Sequence, residues 1–225
     1  MHLLIAPPDQ LKRELAASFE ALVSGGVSNV ALTGGASGVL VLTALGSAAV
    51  DWTTVTCFWG DERAVAPDHP DSNYGLAHQV LFAALGTRGP RTVRMPADNP
   101  DLEAAARDYD AVLEAELDAG PLDLAIVGVG DDGHVCSLFP GHRALLAGGR
   151  VVAVTDSPKP PPRRLSLTLP FLNSTREIWI VGIGARKRVV LQQAMMQRER
   201  TTPLDLVLQG ARNVTVFTDQ KLERS

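Results

Sequence analysis

The sequence predicts an α/β fold: an open, mostly parallel sheet with helices on both faces, in one domain spanning residues 1–225. Three observations carry this expectation. Short apolar runs alternate with stretches of helical periodicity along the whole chain. Leu122 to Val127 is apolar without alternation, as befits a strand buried on both faces of a parallel sheet. No internal repeat or low-complexity linker divides the chain, and Pro158 to Pro162, its one proline-rich stretch, joins two strand candidates.

The elements follow in order. Met1 to Ala6 is a short first strand stopped by Pro7-Pro8, without the basic residues and long apolar stretch of a signal peptide. Asp9 is placed to cap a helix whose apolar positions Leu11, Leu15, Phe19 and Leu22 fall three or four apart, and Gly25-Gly26 ends it. Asn29 to Thr33 is a strand, and Gly34 to Gly38 leads into an apolar helix reaching about Leu45. Val55 to Trp59 is the next strand and Tyr74 to Leu85 the next helix. Asn99 and Pro100 open a helix to Ala119, with Leu102, Ala106, Tyr109, Leu113 and Leu117 on one face. Val151–Thr155, Leu165–Leu169, Ile178–Ile183 and Asn213–Thr218 are further strands, and Ala185–Gln197 a further helix.

The formal net charge of -4 gives no reason to expect a nucleic-acid partner, and no Lys/Arg run suggests an anionic membrane surface. No run of eighteen apolar residues suggests a membrane span. Cys57 and Cys136 sit in apolar surroundings and lack zinc spacing, so they read as two reduced thiols of a cytoplasmic protein. His69 and Asp71 have no partners at metal-site spacing, and no metal or other cofactor is expected. Asp68 to Asn73 reads instead as a polar loop capping the Tyr74 helix.

Ligands of open α/β sheets bind beyond the carboxyl ends of the strands. Gly34-Gly35-Ala36-Ser37-Gly38 follows one strand, with Thr33 and Ser37 as hydroxyl donors. It suits a phosphate cradle or a ligand-free tight turn, and the residues alone leave both open. Gly128-Val129-Gly130-Asp131-Asp132-Gly133 matches the dinucleotide fingerprint, with Asp156 at a suitable distance. Two carboxylates beside a pyrophosphate, and Pro140-Gly141 where a helix is required, reject that reading. The same glycines instead frame Asp132 and His134. A histidine there is either a structural hydrogen-bonder or a general base with a carboxylate to orient it. Arg63, Lys159, Arg163 and Arg164 supply cations to the same region; singly they read as solvated or locally paired charges, together they suit a phosphorylated ligand.

Several short patterns recur together in a fixed order: Ala31-Leu-Thr-Gly-Gly35, Phe58-Trp-Gly-Asp-Glu-Arg63, Ser72-Asn-Tyr74 and Gly128-Val-Gly-Asp-Asp-Gly-His134. They continue with Ser137-Leu-Phe-Pro-Gly141, Ser157-Pro-Lys-Pro-Pro161, Leu167-Thr-Leu-Pro170 and Asn173. In these the chain resembles the 6-phosphogluconolactonase family. The resemblance implies a Rossmann-like sheet shared with glucosamine-6-phosphate deaminase and ribose-5-phosphate isomerase. It also implies hydrolysis of 6-phospho-D-glucono-1,5-lactone, the second step of the oxidative pentose phosphate pathway. It makes His134 the catalytic base, Asp132 its neighbouring carboxylate, and Gly34, Gly35, Ala36, Ser37, Arg63, Lys159 and Arg164 the phosphate-binding set, with Arg163 an extra. The first loop departs from the family's Gly-Gly-Ser-Thr-Pro at Ala36 and Gly38, so altered phosphate affinity is expected. Competing readings are a deaminase-like enzyme and a non-catalytic sugar-phosphate sensor. The expected partner is a small sugar-phosphate lactone, and the expected assembly a monomer or weak homodimer.

Overall fold

The computed structural model describes residues 1–196 and 202–223, with Ala36 described through its backbone alone. Seven parallel strands form the main sheet: β1 (His2–Ile5), β2 (Asn29–Leu32), β3 (Thr56–Trp59), β5 (Arg91–Thr92), β6 (Leu124–Gly128), β9 (Glu177–Gly182) and β10 (Val214–Thr218). Their order is β1-β10-β9-β6-β2-β3-β5. Ile178, Trp179, Ile180 and Val181 are consecutive and all at most 2% exposed. Neighbouring side chains of a strand point to opposite faces, so both faces of the sheet are covered.

The second sheet differs from the expected pattern. Val151–Thr155 and Leu165–Leu169 do form strands, β7 (Val151–Val154) and β8 (Arg164–Leu167), but outside the parallel sheet. With β4 (Asp61–Arg63) they make a separate antiparallel sheet, in which Asp61 lies opposite Ser166 and Arg63 opposite Arg164. The proline-rich loop of residues 155–163 suffices to turn the chain between antiparallel strands, whereas a parallel pair needs a longer crossover.

The helices are α1 (Pro8–Ser24), α2 (Gly35–Gly46), α3 (Asn73–Ala77), α4 (Ala83–Leu85), α5 (Leu102–Glu116), α6 (Leu169–Ser174), α7 (Ala185–Met196) and α8 (Pro203–Gly210). Pro7 occupies the cap position of α1, and Asp9 lies inside the first turn, where its charge still suits the helix dipole. Asp101, not Asn99, caps α5 by accepting from the Ala104 N–H, and Asn99 accepts from Asp101 N one step earlier. The expected helix from Tyr74 to Leu85 widens at His78–Phe82, a five-residue π-turn between α3 and α4. Gln197, expected as the end of α7, lies outside the described residues. Helix α8 was not anticipated, although Thr202 and Asp205 form a capping box at its start.

Loops leaving the carboxyl ends of β2, β3, β6 and β9 converge above the sheet. The chain segments after these strands carry the polar groups described next.

Candidate active site

A cleft of about 290 Å³ opens where these loops meet. Its wall includes Thr33, Gly34, Gly35 and Ser37 after β2, Asp61 and Arg63 on β4, Gly128 at the end of β6, and Val129 to Asp131 with His134 and Cys136 after it. Asn73, Lys159, Arg164 and Lys187 complete it.

His134 stands on a loop that folds back upon itself. Val129 bridges to Val135, and Val135 to Leu138. The Gly130 N–H donates to the His134 carbonyl at 2.8 Å, and the Gly133 N–H to the Gly130 carbonyl at 3.1 Å, with Gly133 left-handed at φ 80°. The imidazole lies against the bare face of Gly130 and packs on the Phe139 ring at 4.6 Å. Its Nδ1 is 2.5 Å from Asp132 Oδ1. That contact assigns the proton to Nδ1, leaving Nε2 as the basic nitrogen.

The electrostatics of the pair have opposing parts. Burial pushes His134 below the ordinary histidine value and outweighs the pull of the Asp132 carboxylate; the Lys159 charge adds to the downward shift. For Asp132 burial acts upward, but the hydrogen bond from His134 and the charges of His134 and Lys159 bring its carboxyl down to about 2. At neutral pH the pair is therefore a neutral imidazole held by a carboxylate, the protonation state a general base requires.

The first glycine loop is built differently from the expectation. Gly34 is the N-cap of α2 and makes no side-chain cap; a Cβ on it would fall 1.8 Å from Asn73 Oδ1, so only glycine allows this approach. Gly35 is left-handed at φ 64°. The Ser37 hydroxyl donates inward to the Val181 carbonyl at 3.0 Å, and Thr33 Oγ1 accepts from Gly128 N at 3.1 Å. Both hydroxyls are thus engaged within the protein, and what the loop offers a ligand is the helix N-terminus. Ala36 contributes its place in the first turn of α2.

Arg63 reaches over this loop. Its Nη1 donates to the Asp71 carbonyl at 2.7 Å, its Nη2 faces Gly35, and its buried Nε has no partner among the described residues. Arg164 lines the cleft but is 4% exposed, and its guanidinium is largely committed. It donates to the carbonyls of Lys159, Pro160 and Pro161 at 3.0 to 3.1 Å, and to Ser137 Oγ at 3.3 Å. These bonds fix the proline loop to the floor of the site. Arg163 instead turns away to the Pro100 carbonyl.

Sequence reasoning missed Lys187 and the role of the carboxylates. Lys187, on α7, has its Nζ in the cleft 2.5 Å from Asp131 Oδ1, with Arg186 Nη1 3.7 Å from Asp131 Oδ2. The signal was available: β9 also ends in a glycine-bearing turn, Gly182-Ile183-Gly184, followed by Arg186-Lys187-Arg188. Asp61 Oδ2 accepts from the Ser137 hydroxyl at 2.6 Å and Oδ1 from Asn73 Nδ2 at 3.3 Å, which braces the floor beneath His134. Glu62 is the hub of the Arg63 segment. Its carboxylate accepts from the backbone N–H of Arg63, Asn73 and Tyr74 and from the Ser72 hydroxyl, at 2.7 to 3.1 Å. Glu62→Ala strands several buried donors and is expected to cost about 3 kcal/mol or more, read as a lower urea midpoint at unchanged m. His69 Nδ1 accepts from Asp71 N, and Ser72 caps α3, consistent with a helix-capping loop.

Comparison with known proteins places the chain in a family. The family model described as glucosamine-6-phosphate isomerases/6-phosphogluconolactonase matches residues 8–217. A 6-phosphogluconolactonase of Mycobacterium tuberculosis is 38% identical over 187 residues, covering 78% of this chain and 76% of that protein. The Homo sapiens 6-phosphogluconolactonase is 40% identical over 180 residues, covering 77% and 67% respectively. Among solved structures, the 6-phosphogluconolactonase of Thermotoga maritima superposes with a TM-score of 0.83 at 25% identity, over 96% of this chain and 97% of that one. A family model matched over residues 8–217, together with relatives 38 to 40% identical over more than three quarters of the chain, makes the protein a member of the glucosamine-6-phosphate isomerase/6-phosphogluconolactonase family.

Proposed function

We propose that the chain is a 6-phosphogluconolactonase that hydrolyses 6-phospho-D-glucono-1,5-lactone to 6-phosphogluconate, with His134 as general base. The observation that carries the proposal is the Asp132–His134 pair, a neutral imidazole held at 2.5 Å beside a cleft whose wall also carries Arg63, Lys159, Arg164 and Lys187. The curated relatives bear the same name as this activity.

The substrate phosphate docks at the α2 N-terminus beside Arg63, within reach of Lys159 and Lys187. Binding energy spent on that remote group positions the lactone carbon near His134. His134 Nε2 takes a proton from water while the water oxygen bonds to the carbonyl carbon. The tetrahedral intermediate then breaks its bond to the ring oxygen, which receives the proton from the imidazolium. Asp132 holds the ring through Nδ1–H and stabilises the charge that develops on it. Arg164 serves this scheme indirectly, by holding the loop that carries Lys159. The single domain, the cytoplasmic setting and the monomer or weak homodimer expected from the sequence are part of the same proposal.

The test is lactone decay at fixed pH, corrected for spontaneous opening, run beside ammonia release from glucosamine 6-phosphate. Accelerated lactone opening without ammonia is the expected result. Ammonia release would favour the deaminase alternative, and saturable 6-phosphogluconate binding with no turnover would favour a sensor. Arg63→Met removes one charged donor from the phosphate and is expected to raise KM about tenfold with kcat nearly unchanged.

A further inference from the structure

One contact inside the cleft joins a cation to the base. Lys159 Nζ lies 3.3 Å from Asp132 Oδ1 and 3.3 Å from His134 Nδ1. The carboxylate oxygen it touches is the one that takes the His134 Nδ1–H. One acceptor is therefore divided between two donors, and one of those donors belongs to a side chain that the proposed reaction needs at the phosphate.

The two ends of Lys159 are held very differently. Its backbone is fixed: the Lys159 N–H donates to Ser157 Oγ at 3.2 Å, that hydroxyl donates back to the Lys159 carbonyl at 2.9 Å, and Arg164 donates to the same carbonyl. Its side chain is 41% exposed; the ammonium donates to Asp132, lies 3.3 Å from His134 Nδ1, and is also attracted by the Asp131 charge. The other cleft cations have partners elsewhere, Arg63 on the Asp71 carbonyl and Lys187 on Asp131. Lys159 is thus the cleft cation whose present partner is the base itself.

Resting on the functional reading above, we propose that Lys159 is shared between base and substrate. In the free enzyme its ammonium sits on the Asp132–His134 pair, and a docked phosphate draws it away, leaving the Asp132 oxygen wholly to the imidazole. The direction of the effect follows from charge. A cation beside His134 disfavours the imidazolium, and a carboxylate oxygen no longer divided favours it. The groups facing His134 are Asp132 on its own loop, Lys159 on the proline loop and Asp61 on β4, with Arg164 behind the Phe139 ring; Asp132 and Asp61 favour the charged form and Lys159 opposes it. Withdrawal of Lys159 makes His134 a stronger base when a phosphorylated substrate is present and a weaker one when the cleft is empty. Lys159 is then a positioning residue for the base as well as a phosphate contact.

The experiment is an NMR titration of the His134 imidazole, assigned with His134→Gln, in wild type and Lys159→Met, each with and without saturating inorganic phosphate. Phosphate is expected to shift the wild-type midpoint upward. In Lys159→Met the midpoint is expected to be raised already, with phosphate moving it little. An equal phosphate-induced rise in both proteins would assign the effect to the phosphate charge and overturn the hand-over. So would an unmoved wild-type midpoint while phosphate perturbs the Gly34 and Gly35 amides. Each of these leaves the lactonase reading intact. A wild type that neither binds phosphate at those amides nor opens the lactone would overturn that reading and the hand-over with it.

Discussion

His134→Ala is expected to lower kcat on the order of 10²–10⁴-fold while leaving KM nearly unchanged, because general-base catalysis acts in the transition state and not on the docked phosphate. The variant should fold, since Asp132 keeps a cation, Lys159 at 3.3 Å, when the imidazole is removed. The pH profile supplies an independent readout. Burial holds the wild-type His134 below its ordinary value, so the base stays neutral, and active, to lower pH than a free histidine would. The same shift has a stability consequence of defined sign. A folded state that resists protonating His134 binds fewer protons than the unfolded chain below about pH 6.5, so stability falls as pH drops through the histidine range. His134→Ala removes that part of the dependence. The measurement is lactone decay at fixed pH with the spontaneous rate subtracted, beside thermal melts across the same pH range. A kcat within a few-fold of wild type would remove His134 from the role of base.

The parts of the fold legible in the sequence are those with local causes. Leu124 to Gly128 and Ile178 to Gly182 are buried on both sides and read as strands from composition alone. The antiparallel sheet was not legible, because pairing Asp61–Arg63 with Arg164–Leu167 joins segments about a hundred residues apart and leaves no period in either. At the site, Asp132 and His134 could be found because they are two residues apart and framed by glycines. Arg164 shows the limit of counting charges. Its place in a cationic loop suggested a phosphate contact, yet three carbonyls and a serine hydroxyl take four of its five donors, and Asp61 lies 3.9 Å from the nitrogen that bears the fifth. Ser37 is similar: a hydroxyl in the right turn, whose proton goes to the Val181 carbonyl of β9, two strands away from β2. Which donors remain free for a ligand depends on contacts between distant segments, and these no motif records.

Gly130→Ala is expected to lower kcat on the order of 10²-fold, the loss that follows when a catalytic group is displaced by about an ångström. A Cβ at residue 130 would lie 1.9 Å from His134 Nδ1 and 2.5 Å from Asp132 Oδ1. The backbone there is not left-handed, so alanine meets no left-handed strain, and the crowded atoms belong to side chains that can swing. The fold should therefore survive while the imidazole leaves its carboxylate. Near-wild-type melting with lost turnover and unchanged KM is the signature; kcat within threefold of wild type would show that the ring finds another productive seat. The neighbouring glycines separate the causes. Gly128→Ala meets only ordinary contacts, its nearest neighbour being Thr33 Oγ1 at 3.5 Å, and should be tolerated. Gly133→Ala combines φ 80° with a 2.7 Å approach to Thr202 Cβ, so it should lose stability first. In a dinucleotide-binding turn the second glycine of Gly-x-Gly-x-x-Gly is bare so that a pyrophosphate can approach the backbone. Here the same bare position admits the enzyme's own imidazole, which is why the fingerprint fits while the cofactor reading does not.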